Sequence, residues 1–86
     1  MPRIIIDVRE PVEFKRGHIE GAINLPPTAL LAGLPPALAD TPKDTEVILY
    51  CLSGARSGVA IQLLRRHGFT NLINGINQDQ VKAKYL

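Results

Sequence analysis

Tryptophan is absent from the chain, aromatic residues amount to 5%, and there is a single cysteine. So few aromatics leave no stacking platform for single-stranded nucleic acid. One cysteine excludes an intramolecular disulfide and any cysteine-rich zinc cluster. His18 and His67 share no ligand spacing with Cys51, so no metal site is expected. An excess of either charge is missing too: ten Lys and Arg against eight Asp and Glu leave +2. The basic residues are dispersed apart from Arg65-Arg66, which makes no nucleic-acid stripe. No apolar run approaches the roughly 18 residues that would span a membrane. The opening MPRIIIDVRE puts acidic residues where the apolar stretch of a signal peptide would have to continue, so no export signal is expected.

What is present is ordinary globular composition. With 45% hydrophobic residues in 86, one modest core and one domain over 1–86 are expected. Arg3 to Val8 reads RIIIDV, a β-branched run suited to a buried strand. Pro11 can open a short helix, PVEFKR, which Gly17 ends. Ala22 to Leu25 can add a small strand beside the first. Five prolines between residues 26 and 44 limit that stretch to brief helical pieces, such as Ala29 to Ala32 capped by Thr28. Leu30, Leu31, Leu34 and Leu38 are expected to cover one face of the sheet. Glu46 to Cys51 is the second strong strand. Gly58 to His67 has helical spacing, with Ala60, Leu63, Leu64 and His67 along one side and Gly68 as its stop. Thr70 to Asn74 reads as a third short strand and Asp79 to Tyr85 as a final helix. This alternation predicts an α/β fold, a small open and mainly parallel sheet flanked by helices. In such sheets the reactive site lies beyond the carboxyl ends of the strands. Both Asp7-Val8-Arg9 and Cys51 to Ser57 fall at such ends.

The segment Cys51-Leu52-Ser53-Gly54-Ala55-Arg56-Ser57 concentrates the chemistry. A cysteine leaves an apolar strand, a loop of small residues follows, and a helix starts close to Ser57. Gly54 permits a backbone angle that a β-carbon would penalise. A loop curled around one point turns successive N–H groups inward, and the free N–H groups of the helix start add to the same positive potential. A sulfur at the centre is expected to ionise readily. Arg56 adds a permanent charge that can hold an oxyanion through two donors. Ser53 can exchange a hydrogen bond with substrate, and Ser57 either caps the helix or joins the site. Phosphatases that use cysteine place five residues between Cys and Arg; here four intervene. The tighter cradle disfavours a phosphoryl group and leaves room for one extra sulfur on Cys51, so the spacing favours sulfur transfer.

Two stretches resemble the rhodanese domain family: IDVREPVEFKRGHIEGAINLP, residues 6–26, and YCLSGARSGVAIQLLRRHGFTNLINGI, residues 50–76. The resemblance implies a parallel sheet flanked by helices with Cys51 as the sulfur-accepting nucleophile. It implies a small anionic donor such as thiosulfate, bound near Arg56 and the loop N–H groups of residues 52–57. The acceptor is cyanide in an assay or an external thiol, and neither metal nor organic cofactor is needed. Asp7 and Arg9 are expected to be scaffold, the arginine pairing with Glu20 or Glu10. His18 invites a Cys–His dyad, but its place in GHIEGA makes a structural role the expectation. The pattern departs from the family at both ends. The N-terminal edge strand and helix are expected to be missing, and Asn74-Gly75-Ile76-Asn77 stands where a Gly-Gly pair followed by tryptophan is usual. A monomer or weak homodimer in the cytoplasm is expected, since reducing compartments preserve thiols. The competing readings are a non-catalytic interaction module, a carrier fed by a partner protein and, behind these, a cysteine-dependent phosphatase or arsenate reductase.

Overall fold

The isoleucine run becomes a strand because every second side chain finds a core on each side. The computed structural model describes residues 3–86; Met1 and Pro2, which begin the stretch read for an export signal, lie outside them. Strands β1 (Arg3–Asp7), β2 (Ile23–Asn24), β3 (Glu46–Cys51) and β4 (Leu72–Asn77) form one sheet in the order β2-β1-β3-β4, and every pair is parallel. Helices α1 (Pro11–Arg16), α2 (Pro27–Leu31), α3 (Pro36–Ala39), α4 (Ala55–Arg66) and α5 (Gln78–Tyr85) make the crossovers and the C-terminal cover. The expected open parallel α/β sheet is therefore the one observed.

Both faces of the central strand are covered, which is why EVILYC lacks polar alternation. Val47, Leu49 and Cys51 point to one face with Ile6, Val8, Leu30, Leu38, Ala60 and Leu64. Ile48 and Tyr50 point to the other, against Ile19 and Val81. Each fully buried aliphatic side chain contributes about 1.5–3 kcal/mol. Leu34 joins the first core at its margin, but Leu31 is 69% exposed and covers nothing. The proline-rich stretch forms α2 with Pro27 in its first turn and Pro26 at the cap position, so Thr28 lies inside the helix and does not cap it.

Two boundaries differ from expectation in ways that shape the site. Helix α4 starts at Ala55 on Gly54, three residues earlier than the spacing predicts, because a left-handed glycine opens it where a serine cap was expected. Strand β4 continues through Gly75 to Asn77 instead of ending at Asn74. Its register shifts there: Leu49 pairs with Asn74, and Tyr50 with Ile76. Gly75 is the extra residue of this bulge. A β-carbon on it would lie 2.4 Å from Val81 Cγ2 and 3.0 Å from Ile48 Cγ2, so the glycine marks close packing and not a strand end. Ile76, next to it, takes a left-handed φ of 73°, a strained conformation for a β-branched residue. The bulge sets Cys51 opposite Asn77 and lets α5 start at once, with the Asn77 side chain accepting from Gln80 N at 2.9 Å.

Candidate active site

Cys51 ends β3 in a position that is buried yet bordered by an open cleft. Residues 52–54 bend between strand and helix, and Gly54 takes φ 92° at the turn. The bend brings the Gly54 N–H to Cys51 Sγ, 3.1 Å away. On the helix side Ser57 lies in the first turn of α4, fully buried, with Oγ 3.5 Å from the sulfur. Ser57 is thus not a cap, and its hydroxyl is closed off from solvent. Burial pushes the Cys51 thiol up; the Ser57 hydroxyl and the N–H groups of Ser57, Ser53 and Gly54 outweigh it and bring the pKa down to about 7. Of the loop N–H groups, those of Ser53, Gly54 and Ser57 act on the sulfur. Leu52 lines the cleft beside it, and Ala55 only begins the helix.

Arg56 is differently employed from what the spacing predicts. Its Nη1 and Nη2 donate to Glu13 Oε1 and Oε2 on α1, at 2.6 and 3.1 Å. Glu13 Oε1 also accepts from Glu10 N at 3.0 Å. The Arg56 hydrogen bond, reinforced by that N–H, holds the Glu13 carboxyl down at about 2. Arg56 is accordingly raised, first by Glu13 and to a lesser degree by the charge on Cys51. The two terminal nitrogens that would grip an oxyanion are occupied by a carboxylate.

The other strand end carries a closed cluster. The buried Asp7 carboxylate accepts from Arg9 N at 2.9 Å, from Arg9 Nε at 2.9 Å, from Arg9 Nη2 at 2.6 Å and from Tyr50 Oη at 2.9 Å. Tyr50 Oη in turn accepts from Ile19 N at 3.2 Å, and Arg9 Nη2 reaches the Gly17 carbonyl at 2.7 Å. Burial, with the Asp7 carboxylate behind it, pushes the Tyr50 phenol up to about 12. Arg9 therefore pairs with Asp7, its neighbour but one, and not with Glu20 or Glu10. Glu20 is exposed. His18 is exposed as well, its ring stacked on Phe14 at 3.6 Å and Nδ1 2.8 Å from the Phe14 carbonyl. Neither residue lines the cleft beside Cys51.

That cleft has a volume of about 360 Å³ and is lined by Cys51, Leu52, Asn77, Gln78 and Asp79. The last three come from the end of β4 and the start of α5, and sequence reasoning did not place them here. It also missed Asn74, whose side chain ties the loop to the sheet. Asn74 Nδ2 donates to the Gly54 carbonyl at 3.0 Å, while Oδ1 accepts from Ile76 N at 3.1 Å and from the Ser57 hydroxyl at 2.7 Å. Its only signal in the sequence is the departure from Gly-Gly at Asn74-Gly75. Among the described residues no cluster of His, Cys, Asp or Glu is arranged to hold a metal ion, and no helix is long and apolar enough to cross a membrane.

Comparison with known proteins agrees with this fold. The chain is 46% identical over 70 residues to the uncharacterised protein YqhL of Bacillus subtilis, a match covering 81% of this chain and 52% of that one. It is 36% identical over 69 residues to the thiosulfate sulfurtransferase PspE of Escherichia coli, covering 80% of this chain and 64% of that one. The chain thus spans between about half and two thirds of these relatives. Among solved structures, a rhodanese with anions from E. coli superposes with a TM-score of 0.79 at 32% identity, over 92% of this chain and 91% of that one. The profile of the rhodanese-like domain matches residues 1–79, and the chain belongs to that family.

Proposed function

We propose that the domain transfers sulfane sulfur through a persulfide on Cys51. The observation that carries this reading is the sulfur itself, held by the Gly54 N–H at 3.1 Å beside an open cleft and ionised near neutral pH. With thiosulfate as donor, the Cys51 thiolate attacks the outer sulfur and a new S–S bond forms. The bond from that sulfur to the sulfonate breaks, and sulfite leaves with the electron pair. The anionic terminal sulfur then takes the place of the thiolate among the N–H groups of the loop. An external nucleophile, cyanide or a thiolate, bonds to that sulfur and returns the electron pair to Cys51. This is double displacement through a covalent intermediate. Since Cys51 is the lone cysteine, discharge has to be to an outside acceptor. A phosphatase reading is disfavoured by the short loop, in which α4 begins only four residues after the sulfur.

One observation favours a second donor class. With both terminal nitrogens of Arg56 on Glu13, the end-on fork of the guanidinium is taken and its charge already faces a carboxylate, which weakens its hold on the sulfonate of thiosulfate. A persulfide donor, small or carried by a partner protein, needs no such fork. Intact-protein mass spectrometry tests both. A gain of about 32 Da after thiosulfate, reversed by cyanide and absent in Cys51→Ala, is expected for sulfur on Cys51. A gain from glutathione persulfide alone would assign the donor to the persulfide class. No gain from either, in a folded and reduced sample, would overturn sulfur transfer and leave an interaction module.

A further inference from the structure

The Asn74 carboxamide has only one possible orientation. One end faces the Gly54 carbonyl at 3.0 Å, which can only accept, so Nδ2 is there. The other faces Ile76 N–H at 3.1 Å, which can only donate, so Oδ1 is there. The Ser57 hydroxyl, 2.7 Å from Oδ1, is then obliged to donate to it. Yet the same hydroxyl lies 3.5 Å from Cys51 Sγ and has one proton. While Cys51 is a thiol the hydrogen bonds are satisfied in series, S–H to Ser57 Oγ and Ser57 O–H to Asn74 Oδ1. Once the sulfur is anionic it has no proton to give, and the Ser57 proton is claimed by two acceptors.

We propose that Asn74 is a positioning residue that governs the reactivity of Cys51, holding the Ser57 proton away from the thiol and yielding it to the sulfur anion. The Ser57 hydroxyl turns through its own torsion when the sulfur loses its proton, and no heavy atom of the loop has to move. Asn74 Oδ1 keeps the Ile76 N–H in either state, so it is never left without a partner. The bulge at Gly75 brings that N–H back to the side chain of Asn74, two residues earlier. Meanwhile Nδ2, on the Gly54 carbonyl, anchors the residue whose own N–H donates to the sulfur. The arrangement deepens the sulfur-acceptor reading of Cys51 and rests on it.

The charged groups around the sulfur come from other elements and stay constant in the test. They are Arg56 on α4 with Glu13 of α1 and Glu10 at its cap beside it, Asp79 of α5 across the cleft, and the Asp7–Arg9 pair with Tyr50 on the opposite face. Iodoacetamide alkylation of Cys51 as a function of pH reads its ionisation without any sulfur donor. Asn74→Asp replaces the carboxamide by a stronger competitor for the Ser57 proton. It is expected to move the alkylation midpoint up by about one pH unit, about a tenfold loss of thiolate below the midpoint. In a Ser57→Ala background the same substitution is expected to lose at least half of that shift. An equal shift in both backgrounds, or none in either, overturns the proposal. Should the aspartate variant fail to fold, the wild-type protein supplies the test. The Asn74 side-chain ¹³Cγ shift is expected to titrate with Cys51, and a flat response overturns the proposal. Because neither readout uses sulfur transfer, a negative mass shift with thiosulfate and persulfide remains a separate result.

Discussion

The two central strands of the sheet run side by side and end in polar clusters of opposite character. At the end of β1, the Asp7 carboxylate meets Arg9 and Tyr50, and each of its oxygens accepts from at least two donors. At the end of β3, Cys51, Ser57 and Asn74 share one hydroxyl proton between two acceptors. Neither cluster leaves a buried side-chain nitrogen or oxygen without a partner among the described residues. The difference lies in what ionisation would do. In the first cluster the carboxylate and the guanidinium are matched to each other and no proton is claimed by two groups. In the second the hydrogen bonds rearrange when the sulfur charges, so the cluster accommodates a change of state. The proposed reactive centre is thus built from parts similar to those of its neighbour, with a different proton count.

Removing a charge from the closed cluster is the most severe way to break the comparison. Asp7→Ala leaves the Arg9 guanidinium, 6% exposed, without its carboxylate and leaves Tyr50 without an acceptor. Breaking a buried pair on one side costs about 3–5 kcal/mol. For a domain of this size that is a large part of the total stability. Urea unfolding is expected to shift to a much lower midpoint, while alkylation of Cys51 in the remaining folded protein keeps its pH midpoint. A stable variant with an altered Cys51 midpoint would show that the two clusters are one site.

The open cluster predicts a smaller and pH-dependent effect. Cys51 ionises at about 7 in the folded protein against 9.0 ordinarily. A depressed pKa means the anion is favoured by folding, so the contribution is complete above the unfolded value and disappears as pH falls through the folded one. Wild-type stability is therefore expected to rise between pH 7 and 9 relative to Cys51→Ser, whose hydroxyl does not titrate there. The gain is on the order of 1 kcal/mol once screening by the solvent in the cleft is allowed for. Denaturant titrations at several pH values measure it, and parallel pH profiles for the two proteins would contradict it.

Much of this contrast is legible in the sequence, though unevenly. The strands Arg3–Asp7 and Glu46–Cys51 are visible because buried parallel strands are written as continuous apolar runs. The cradle is visible because a cysteine, a glycine and an arginine fall within six residues. What is hidden is pairing at a distance. Nothing near Arg56 marks Glu13, 43 positions earlier, as its partner. Asn74 carries no mark of its hold on Gly54, 20 positions back. Gly75 reads as a strand end because a glycine is written the same way whether it turns the chain or fits beneath Val81. The early start of α4 was hidden for a similar reason: Ser57 offers the familiar cap, while Gly54 opens the helix by backbone angle alone.

The smallest effect sharpens the comparison at the one ion pair that borders the reactive centre. Glu13 holds Arg56 through two hydrogen bonds, but at the surface and not in the core, with side-chain exposures of 24% and 35%. Such a pair adds little to stability. Its consequence is for ligands, because the end-on fork is taken and the charge that would hold a sulfonate already faces a carboxylate. With its carboxyl down at about 2, Glu13 stays charged over any assay range. The pair's contribution, complete above the ordinary carboxylate range, is lost only as pH falls toward 2, so it cannot act as a switch near neutrality. Glu13→Gln removes the competing charge and leaves Arg56 in place. Thiosulfate KM is expected to fall about threefold to tenfold, with kcat and the use of glutathione persulfide little changed. An unchanged thiosulfate KM would mean that the sulfonate never reaches Arg56, and that the cleft beside Asn77, Gln78 and Asp79 receives the donor instead.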